Sequence, residues 1–423
     1  MLDSGSNQYL YFAFPGTDNN THIAKKNSDG TQLWVKEYPG FYFKRGYRNT
    51  QMSKDESVIR ILGESLSNII QFIEISTSDG AVTSAYETIG SNRMASFWHQ
   101  SNIDCSNTTN TICYYIGRGS ATLAYTLSKF DFSSPGTIAL LDPDSFQSVY
   151  TSVAVLSDNE VLVTGIYSTS AVDEHFFFKL NFTAETYDWT IQTAPNEEAF
   201  GGNFDRYTIS FLNDAFTQFY TIFRQVTTSV IFILNPDTGS LIGVKHISYP
   251  ESITDSRTTS SAKLSDNQIL LTFLSSDGGS QFVDIINSDT WEKTSYISAN
   301  IYLFGSSPIF NTDQVILLYA ETSSDSFFTL QASYDKLHFT ELFNQSTHTL
   351  TDITSNYTLN AYSNTLAAIS ETTTSLTITP TNATLNVNSD KSYKVKVNIF
   401  SQNHETYTRV VNTTASIGPL GYD

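Results

Sequence analysis

A polar turn that opens into an apolar strand recurs eight times along this 423-residue chain, at intervals of about 50 residues. The clearest copies are LSDNEVLVTG, LSDNQILLTF and FNTDQVILLY, which begin at Leu156, Leu264 and Phe310. Looser copies begin at Ser4, Met52, Asn107, Leu212 and Ala361. A fixed period of this length predicts one supersecondary unit that is repeated around or along an axis.

A second pattern follows each copy: an apolar strand, a turn rich in Asn, Asp, Gly or Pro, and another strand. IAKKNSDGTQLW (from Ile23) and FILNPDTGSLIG (from Phe232) show it well. Asp-Gly and Pro-Asp-Thr-Gly supply the positive φ angles that a tight hairpin needs. One more candidate strand precedes each polar turn, which makes four antiparallel strands in each repeat. Repeats of this size and strand number predict the blades of an all-β β-propeller.

Closure of the predicted ring depends on the first repeat, which starts at its polar turn and therefore lacks an innermost strand. We expect residues 1–390 to form one toroidal domain and residues 391–423 to form a C-terminal strand segment. If Tyr393 to Phe400 supplies the missing strand, the ring has eight blades, which is the favoured reading. If Thr349 to Thr354 supplies it, the ring has seven blades and a C-terminal β extension. The terminal segment then closes its own ring or pairs with a neighbouring subunit.

The chain is acidic, with a formal net charge of -19 and a sequence pI near 4.6. A surface of this sign repels phosphate backbones and anionic lipid headgroups. Nucleic acid and membrane insertion are therefore excluded as default partners.

The two cysteines, Cys105 and Cys113, flank seven residues. On neighbouring strands of one hairpin they come within disulfide range, and the alternative is a pair of free buried thiols. A zinc site would need two further ligands nearby, so we predict no metal site. The disulfide favours an extracellular or cell-surface location. No signal peptide is visible, so the chain is either a mature form or fragment, or it is not exported.

Asn-x-Ser/Thr sequences mark seven candidate glycosylation sites. About 30 Asn in a chain about one-quarter Ser plus Thr give roughly seven such sequences by chance, so their number is not evidence. Their placement is more informative, because one lies inside the predicted disulfide loop and another in a hairpin turn. The acceptors are Asn19, Asn107, Asn181, Asn344, Asn356, Asn382 and Asn412.

Five arginines fall in the segments that join one repeat to the next. In a propeller these connections gather around one mouth of the central channel, where an arginine cluster can bind a carboxylate or sulfate. The alternative is that each arginine pairs with an acidic residue of the neighbouring blade. The arginines are Arg45, Arg48, Arg93, Arg206 and Arg257.

The segment from Tyr38 to Arg48 is rich in aromatic and basic residues. Aromatic faces beside basic residues are typical of recognition surfaces for sugars or partner proteins. Tyr38, Phe41 and Tyr47 are therefore added to the candidate ligand-binding residues. The alternative is that alternate aromatic residues of this segment face the core.

The turns NSDGTQLW and NPDTGSLIG resemble repeats of the quinoprotein-like (PQQ-like) propeller superfamily, whose blades often carry an Asp-x-x-x-Gly turn followed by Trp. The resemblance implies a β-propeller fold. The two cysteines are not adjacent as they are in the family's dehydrogenases, and only four Trp are present. We expect no cofactor.

No catalytic constellation is visible, because the chain has no GxSxG elbow, P-loop, HExxH pair or Gly-rich dinucleotide turn. We therefore predict a non-enzymatic extracellular structural or adhesive protein that assembles with other protein subunits, including further copies of itself. A propeller that binds glycans or anionic ligands is the second alternative. A propeller enzyme is the third.

Overall fold

The fold is all-β, as predicted: the described residues form 35 strands and one short 3-10 turn at Thr354–Asn356. The computed structural model describes residues 10–15, 20–26, 32–42, 50–53, 55–65, 67, 69–89, 92–94, 103–106, 108–109, 111–119, 125–135, 137–142, 148–168, 173–194, 205–213, 215–224, 227–250, 253–254, 262–265, 267–275, 280–299, 301–308, 314–321, 327–333, 342–362, 366–383, 391–400 and 406–415.

The strands from Leu10 to Ser333 fall into seven successive antiparallel units in chain order. The first unit has β1 (Leu10–Pro15), β2 (Thr21–Lys26) and β3 (Gln32–Tyr38). The second has β4 (Thr50–Met52), β5 (Val58–Glu64), β6 (Ile70–Ser76) and β7 (Val82–Thr88). The third has β8 (Asn92–Met94), β9 (Ile103–Cys105), β10 (Ile112–Gly119), β11 (Tyr125–Asp131) and β12 (Thr137–Asp142).

The later units repeat the same antiparallel order. The fourth has β13 (Ser148–Val155), β14 (Glu160–Ser168), β15 (Asp173–Asn181) and β16 (Thr186–Thr193). The fifth has β17 (Asp205–Leu212), β18 (Phe219–Arg224), β19 (Thr228–Leu234) and β20 (Leu241–Ser248). The sixth has β21 (Ile253–Thr254), β22 (Ala262–Ser265), β23 (Gln268–Ser275), β24 (Ser280–Asn287) and β25 (Lys293–Ala299), and the seventh has β26 (Ile301–Pro308), β27 (Gln314–Glu321) and β28 (Phe327–Ser333).

The hairpin turn predicted from FILNPDTGSLIG forms, whereas the turn predicted from IAKKNSDGTQLW lies outside the described residues. In the fifth unit the side-chain oxygen of Asn235 accepts hydrogen bonds from the backbone N–H groups of Asp237 and Thr238, at 2.9 and 3.0 Å. The turn ends at Gly239, whose φ is +69°. Asn287 accepts the same pair of bonds in the sixth unit. An Asx turn followed by a left-handed residue therefore reverses the chain here, as the Asn and Gly positions require.

The hydrophobic core lies between neighbouring units. Ile23 and Tyr38 of the first unit pack in one cluster with Ile59 and Ile73 of the second. Further clusters join the second unit to the third, the third to the fourth, the fourth to the fifth and the fifth to the sixth. The sheets of the second to fifth units are therefore packed on both faces by their neighbours, which is how the blades of a β-propeller pack.

After the seventh unit the chain runs back along the outer edges of the earlier units, in reverse order. We call residues 342–362 and 366–383 the belt. Its strands are β29 (Asn344–Ser346), β30 (Leu350–Asp352), β31 (Leu359–Ala361), β32 (Ala367–Ser375) and β33 (Thr381–Asn382). They pair in turn with β25 of the sixth unit, β20 of the fifth, β16 of the fourth, β12 and β7 of the third and second, and β3 of the first. The belt thus adds an outermost strand to six units.

The belt corrects the prediction for the eighth repeat. The copy that begins at Ala361 does not form a further unit, because β32 pairs with the outer strands β12 and β7. Thr349 to Thr354 does not supply an inner strand either, since Leu350–Asp352 lies on the outer edge of β20. The physical reason is burial: most described residues between Thr372 and Thr381 are exposed, whereas a central strand such as β6 is almost entirely buried.

The C-terminal segment forms a hairpin of β34 (Lys391–Phe400) and β35 (Thr406–Ala415). Among the described pairings, β34 joins only β35, and β1 joins only β2. The predicted insertion of Tyr393 to Phe400 beside the first unit is therefore not part of this structure.

Three glycines provide a test of the packing between units. Gly239 has a left-handed backbone, and an alanine Cβ there would lie 2.8 Å from the Trp189 ring. Gly40 also has a left-handed backbone, but an alanine Cβ there would have no atom within 4 Å. At Gly243 the nearest atoms are 3.5 Å away. We expect Gly239→Ala to lower the free energy of unfolding by about 2–4 kcal/mol, Gly40→Ala by about 1 kcal/mol and Gly243→Ala least. Equal losses in urea titrations of the three variants would contradict this account of the contact.

Candidate functional site

The most concentrated group of buried polar side chains lies where the belt meets the fifth and sixth units. We call Asp284, Lys293, Ser295, Tyr249 and His348 the belt anchor. Asp284, on the central strand β24, is 0% exposed. Its carboxylate accepts hydrogen bonds from Ser295 Oγ at 2.6 Å and from Tyr249 OH at 3.1 Å. A carboxylate at such depth requires compensating donors, and here they come from two units.

Two cationic or ionisable groups complete the belt anchor. Lys293 Nζ lies 3.7 Å from Asp284 and donates a 2.6 Å hydrogen bond to the carbonyl oxygen of His348 in the belt. His348 Nε2 lies 2.7 Å from Asp284 Oδ1, at an angle that does not form a hydrogen bond. Burial lowers the pKa of Lys293, and the charge of Asp284 acts in the opposite direction. The anchor therefore holds the belt through the bond from Lys293 to the belt backbone and through the short distance between His348 and Asp284.

A second, more exposed contact holds the next belt strand. Lys245 Nζ lies 2.5 Å from a carboxylate oxygen of Asp352, and 5.2 Å from the centre of the Trp291 ring. Asp352 also accepts hydrogen bonds from the N–H and the hydroxyl of Thr354. These donors lower the pKa of Asp352, led by the bond from Lys245.

Apolar contacts and backbone bonds continue along the belt. Tyr357 is buried and its ring packs edge-on against Phe232, with 5.1 Å between centroids. The Thr354 hydroxyl accepts a 2.8 Å bond from the N–H of Val244. At the far end, Lys36 Nζ donates to the side-chain oxygen of Asn382 at 2.7 Å. The belt is thus fastened at the sixth, fifth and first units by different interactions.

The predicted disulfide between Cys105 and Cys113 is present, and the two residues face each other on β9 and β10. The polar turn of the neighbouring fourth unit forms hydrogen bonds to this hairpin. Asp158 accepts hydrogen bonds from Ser106 Oγ at 2.5 Å and from Thr109 Oγ1 at 2.9 Å. Those hydroxyl donors lower the pKa of Asp158 against the opposing effect of burial, which is the largest single contribution. The recurrent Ser-Asp-Asn turn is therefore a contact between units as well as a reversal.

The candidate ligand-binding residues are not brought together by the described structure. Tyr38 and Phe41 are both 0% exposed and belong to the core between the first and second units. Their assignment to a recognition surface is corrected: alternate aromatic residues of this segment face the core. Tyr38 OH donates instead to the carbonyl oxygen of Gly80 at 2.8 Å, and burial raises its pKa.

The arginines give less information. Arg45, Arg48 and Arg257, together with Tyr47, lie outside the described residues. Arg93 lies on β8, opposite Arg118 of β10, and Arg206 lies on β17 within a register shift. Whether they form one cluster stays a prediction.

The glycosylation candidates divide by exposure. Asn344, Asn356 and Asn382 are exposed, and all three lie in the belt. Asn181 is half-buried and caps a hairpin turn through its side-chain oxygen. Asn412 lies on β35, and Asn19 and Asn107 are outside the described residues.

Sequence reasoning missed the belt anchor because its members are spread from Tyr249 to His348 without a shared motif. The only local signal is Asp284 itself, which interrupts the apolar run FVDIIN. An acidic residue in the middle of a strand buried on both faces needs a buried partner. The sequence does not show that this partner comes from the belt.

No family model and no curated protein matches this chain. Solved structures that are similar include the uncharacterized protein lmo1340 from Listeria monocytogenes EGD-e (TM-score 0.45, 9% identity, covering 78% of this chain and 93% of that one). The Dos1 propeller has a TM-score of 0.44 and 8% identity, covering 75% of this chain and 78% of that one. The β-propeller domain of the Trilobed protease from Pyrococcus furiosus has a TM-score of 0.46 and 10% identity, covering 77% of this chain and 92% of that one.

With TM-scores below 0.5, these likenesses carry no argument about activity or partners. The resemblance of the hairpin turns to quinoprotein-like repeats therefore stays a prediction. Within the described part of the chain, no helix is long and apolar enough to cross a bilayer. The same residues contain no group of three or more His, Cys, Asp or Glu side chains arranged to hold a metal ion.

The belt anchor predicts a large effect of removing one charge. Asp284→Asn keeps the size of the side chain but leaves buried Lys293 without its counter-charge. We expect a loss of about 3 kcal/mol or more in the free energy of unfolding, measured by urea titration. Asp352→Asn is the matched control, because that carboxylate is largely exposed, and we expect a loss below about 1 kcal/mol. Equal losses in the two variants would show that Asp284 is not the anchor.

His175 predicts how stability depends on pH. Its ring is buried against Phe223 and Phe232, and burial lowers its pKa to about 3, against about 6.5 in an unfolded chain. Between these values the unfolded state binds the extra proton, so stability falls as the pH decreases from 6.5 towards 3, by up to about 1.4 kcal/mol per pH unit.

The measurement is the free energy of unfolding from pH 7 to pH 4, in the natural chain and in His175→Phe. The free energy of unfolding of the natural chain should decrease relative to that of His175→Phe as the pH falls, because phenylalanine does not titrate. A difference that is constant over this range would rule out His175 as a source of acid sensitivity.

Proposed function

We propose that this chain is a non-enzymatic extracellular structural protein, built as a seven-bladed β-propeller with an outer belt. In this proposal the propeller is a rigid scaffold for assembly with other protein subunits, including further copies of the same chain. The observation that carries the proposal is the belt, which ties six successive units through strand pairing and is fastened by a buried charged cluster.

The chain order supports seven blades. Seven units precede the belt, and the residues of the eighth repeat are used to cover the outer edges of units one to three. Strands at the edge of a sheet offer unpaired backbone groups to other chains. A propeller that uses its own chain to cover these edges leaves only edge strands of two or three residues at the first, fourth, fifth and sixth units. Controlled assembly then needs a separate segment.

The C-terminal hairpin is the segment we assign to assembly. Its two strands of ten residues pair with each other over their whole length. An isolated two-stranded hairpin is at best marginally stable in water, and either outer edge of this one can extend into the sheet of a neighbouring subunit. The disulfide between Cys105 and Cys113 is compatible with an extracellular setting, where such bonds persist.

Deletion of residues 391–423 tests the proposal. We expect the shortened chain to keep the circular dichroism spectrum and melting temperature of the full chain, because the belt and the cores between units are untouched. We expect it to lose the higher-order species that the full chain forms, measured by light scattering after size-exclusion chromatography.

Val397→Pro is the matched variant of full length, since it removes a strand hydrogen bond in the middle of the hairpin. It should behave like the deletion. Unfolding of the shortened chain would instead mean that the segment closes its own ring. Identical association of all three proteins would exclude the hairpin as the assembly segment.

A further inference from the structure

The belt contains two kinds of strand. β29, β30, β31 and β33 each stand at the end of their sheet, with one edge unpaired among the described residues, and each has only two or three residues. β32 is nine residues long and joins two units, because residues 367–372 pair with β12 and residues 373–375 pair with β7. The outer rim therefore exposes short edge strands at the first, fourth, fifth and sixth units.

The exposed Asn-x-Ser/Thr acceptors follow this division. Asn344 begins β29, Asn382 ends β33, and Asn356 lies in the 3-10 turn between β30 and β31. β32, which joins the third and second units, contains no acceptor. The acceptors in the belt thus lie on or next to edge strands.

In two of these asparagines, the hydrogen bond to a neighbouring side chain uses the side-chain oxygen and not the nitrogen. Asn382 accepts from Lys36 Nζ through Oδ1 at 2.7 Å, and Asn356 accepts from Ser355 Oγ through Oδ1 at 3.4 Å. The nitrogen is the atom to which a glycan is attached. Asn181 differs, because it is half-buried and its carboxamide closes a hairpin turn.

We propose that Asn344, Asn356 and Asn382 carry N-linked glycans that shield the rim of the propeller from edge-to-edge pairing. In the reaction, Nδ2 of the asparagine forms a bond to C1 of an oligosaccharide carried by a lipid diphosphate. The bond between C1 and the diphosphate oxygen breaks, the lipid diphosphate leaves, and Nδ2 loses one proton. The inference rests on the proposed extracellular location and adds to it a function for the belt surface.

The test is site occupancy in the full chain, secreted from a eukaryotic cell line behind a cleavable signal sequence. Enzymatic removal of N-glycans in heavy-oxygen water converts each occupied Asn to a labelled Asp, which peptide mass spectrometry locates. Three variants each remove one acceptor sequence. They are Asn344→Gln, whose side chain is exposed, and Thr358→Ala and Thr384→Ala, which keep Asn356 and Asn382 in place.

We expect label at all three asparagines and the loss of one glycan in each single variant. The triple variant should melt at the same temperature and form additional aggregates that persist when residues 391–423 are also deleted. Secreted protein without label at these positions would overturn the inference. If all three asparagines are labelled but the triple variant aggregates no more than the natural chain, the shielding role would be overturned. Neither result depends on assembly through the C-terminal hairpin, so a failure of that proposal is separately visible.

Discussion

The stacking of neighbouring sheets, which buries those of the second to fifth units on both faces, is the interaction on which the rest of this structure depends. Strands such as β6 and β19 are apolar on both faces, so no unit can be stable in isolation. Each unit gains its core only by stacking on the next, and every buried aliphatic or aromatic side chain there is worth roughly 1.5–3 kcal/mol. The same requirement explains the Gly239 contact, where a backbone without Cβ lets Trp189 of the preceding unit lie against the turn.

Stacking satisfies the faces of the sheets but leaves their edges. The belt covers the outer edges of six units, with strands of two or three residues at four of them and one long strand that pairs first with the third unit and then with the second. Its fastening is uneven. Near the sixth unit Asp284 draws donors from two units while Lys293 reaches the belt backbone, whereas Lys245 and Asp352 form a surface pair that solvent screens. Loosening of the belt is therefore expected to start away from Asp284.

How far the sequence could be interpreted depended on the range of the interactions involved. Hairpin turns are local, so Asn235 and Gly239 were enough to predict the turn that they form. The close spacing of Cys105 and Cys113 likewise predicted the disulfide. Tyr38 and Phe41 were ambiguous, because an aromatic residue between two strands suits a binding surface and a core equally well. The belt anchor could not be predicted from the sequence. Tyr249, Asp284 and His348 meet only after about 100 residues of chain have folded back, and residue propensities carry no information on contacts of this range.

The sequence by itself determined the repeating unit, its antiparallel strands and its turns, since each arises from a period or a residue preference that acts within a few positions. Only the tertiary structure decided what the last repeat does. Its strand pattern is compatible with a further unit or with an outer edge, because backbone hydrogen bonds are the same in both. Burial separates the two: most described residues from Thr372 to Thr381 are too exposed for a sheet covered on both faces, and the outer strands of the earlier units offer this segment partners.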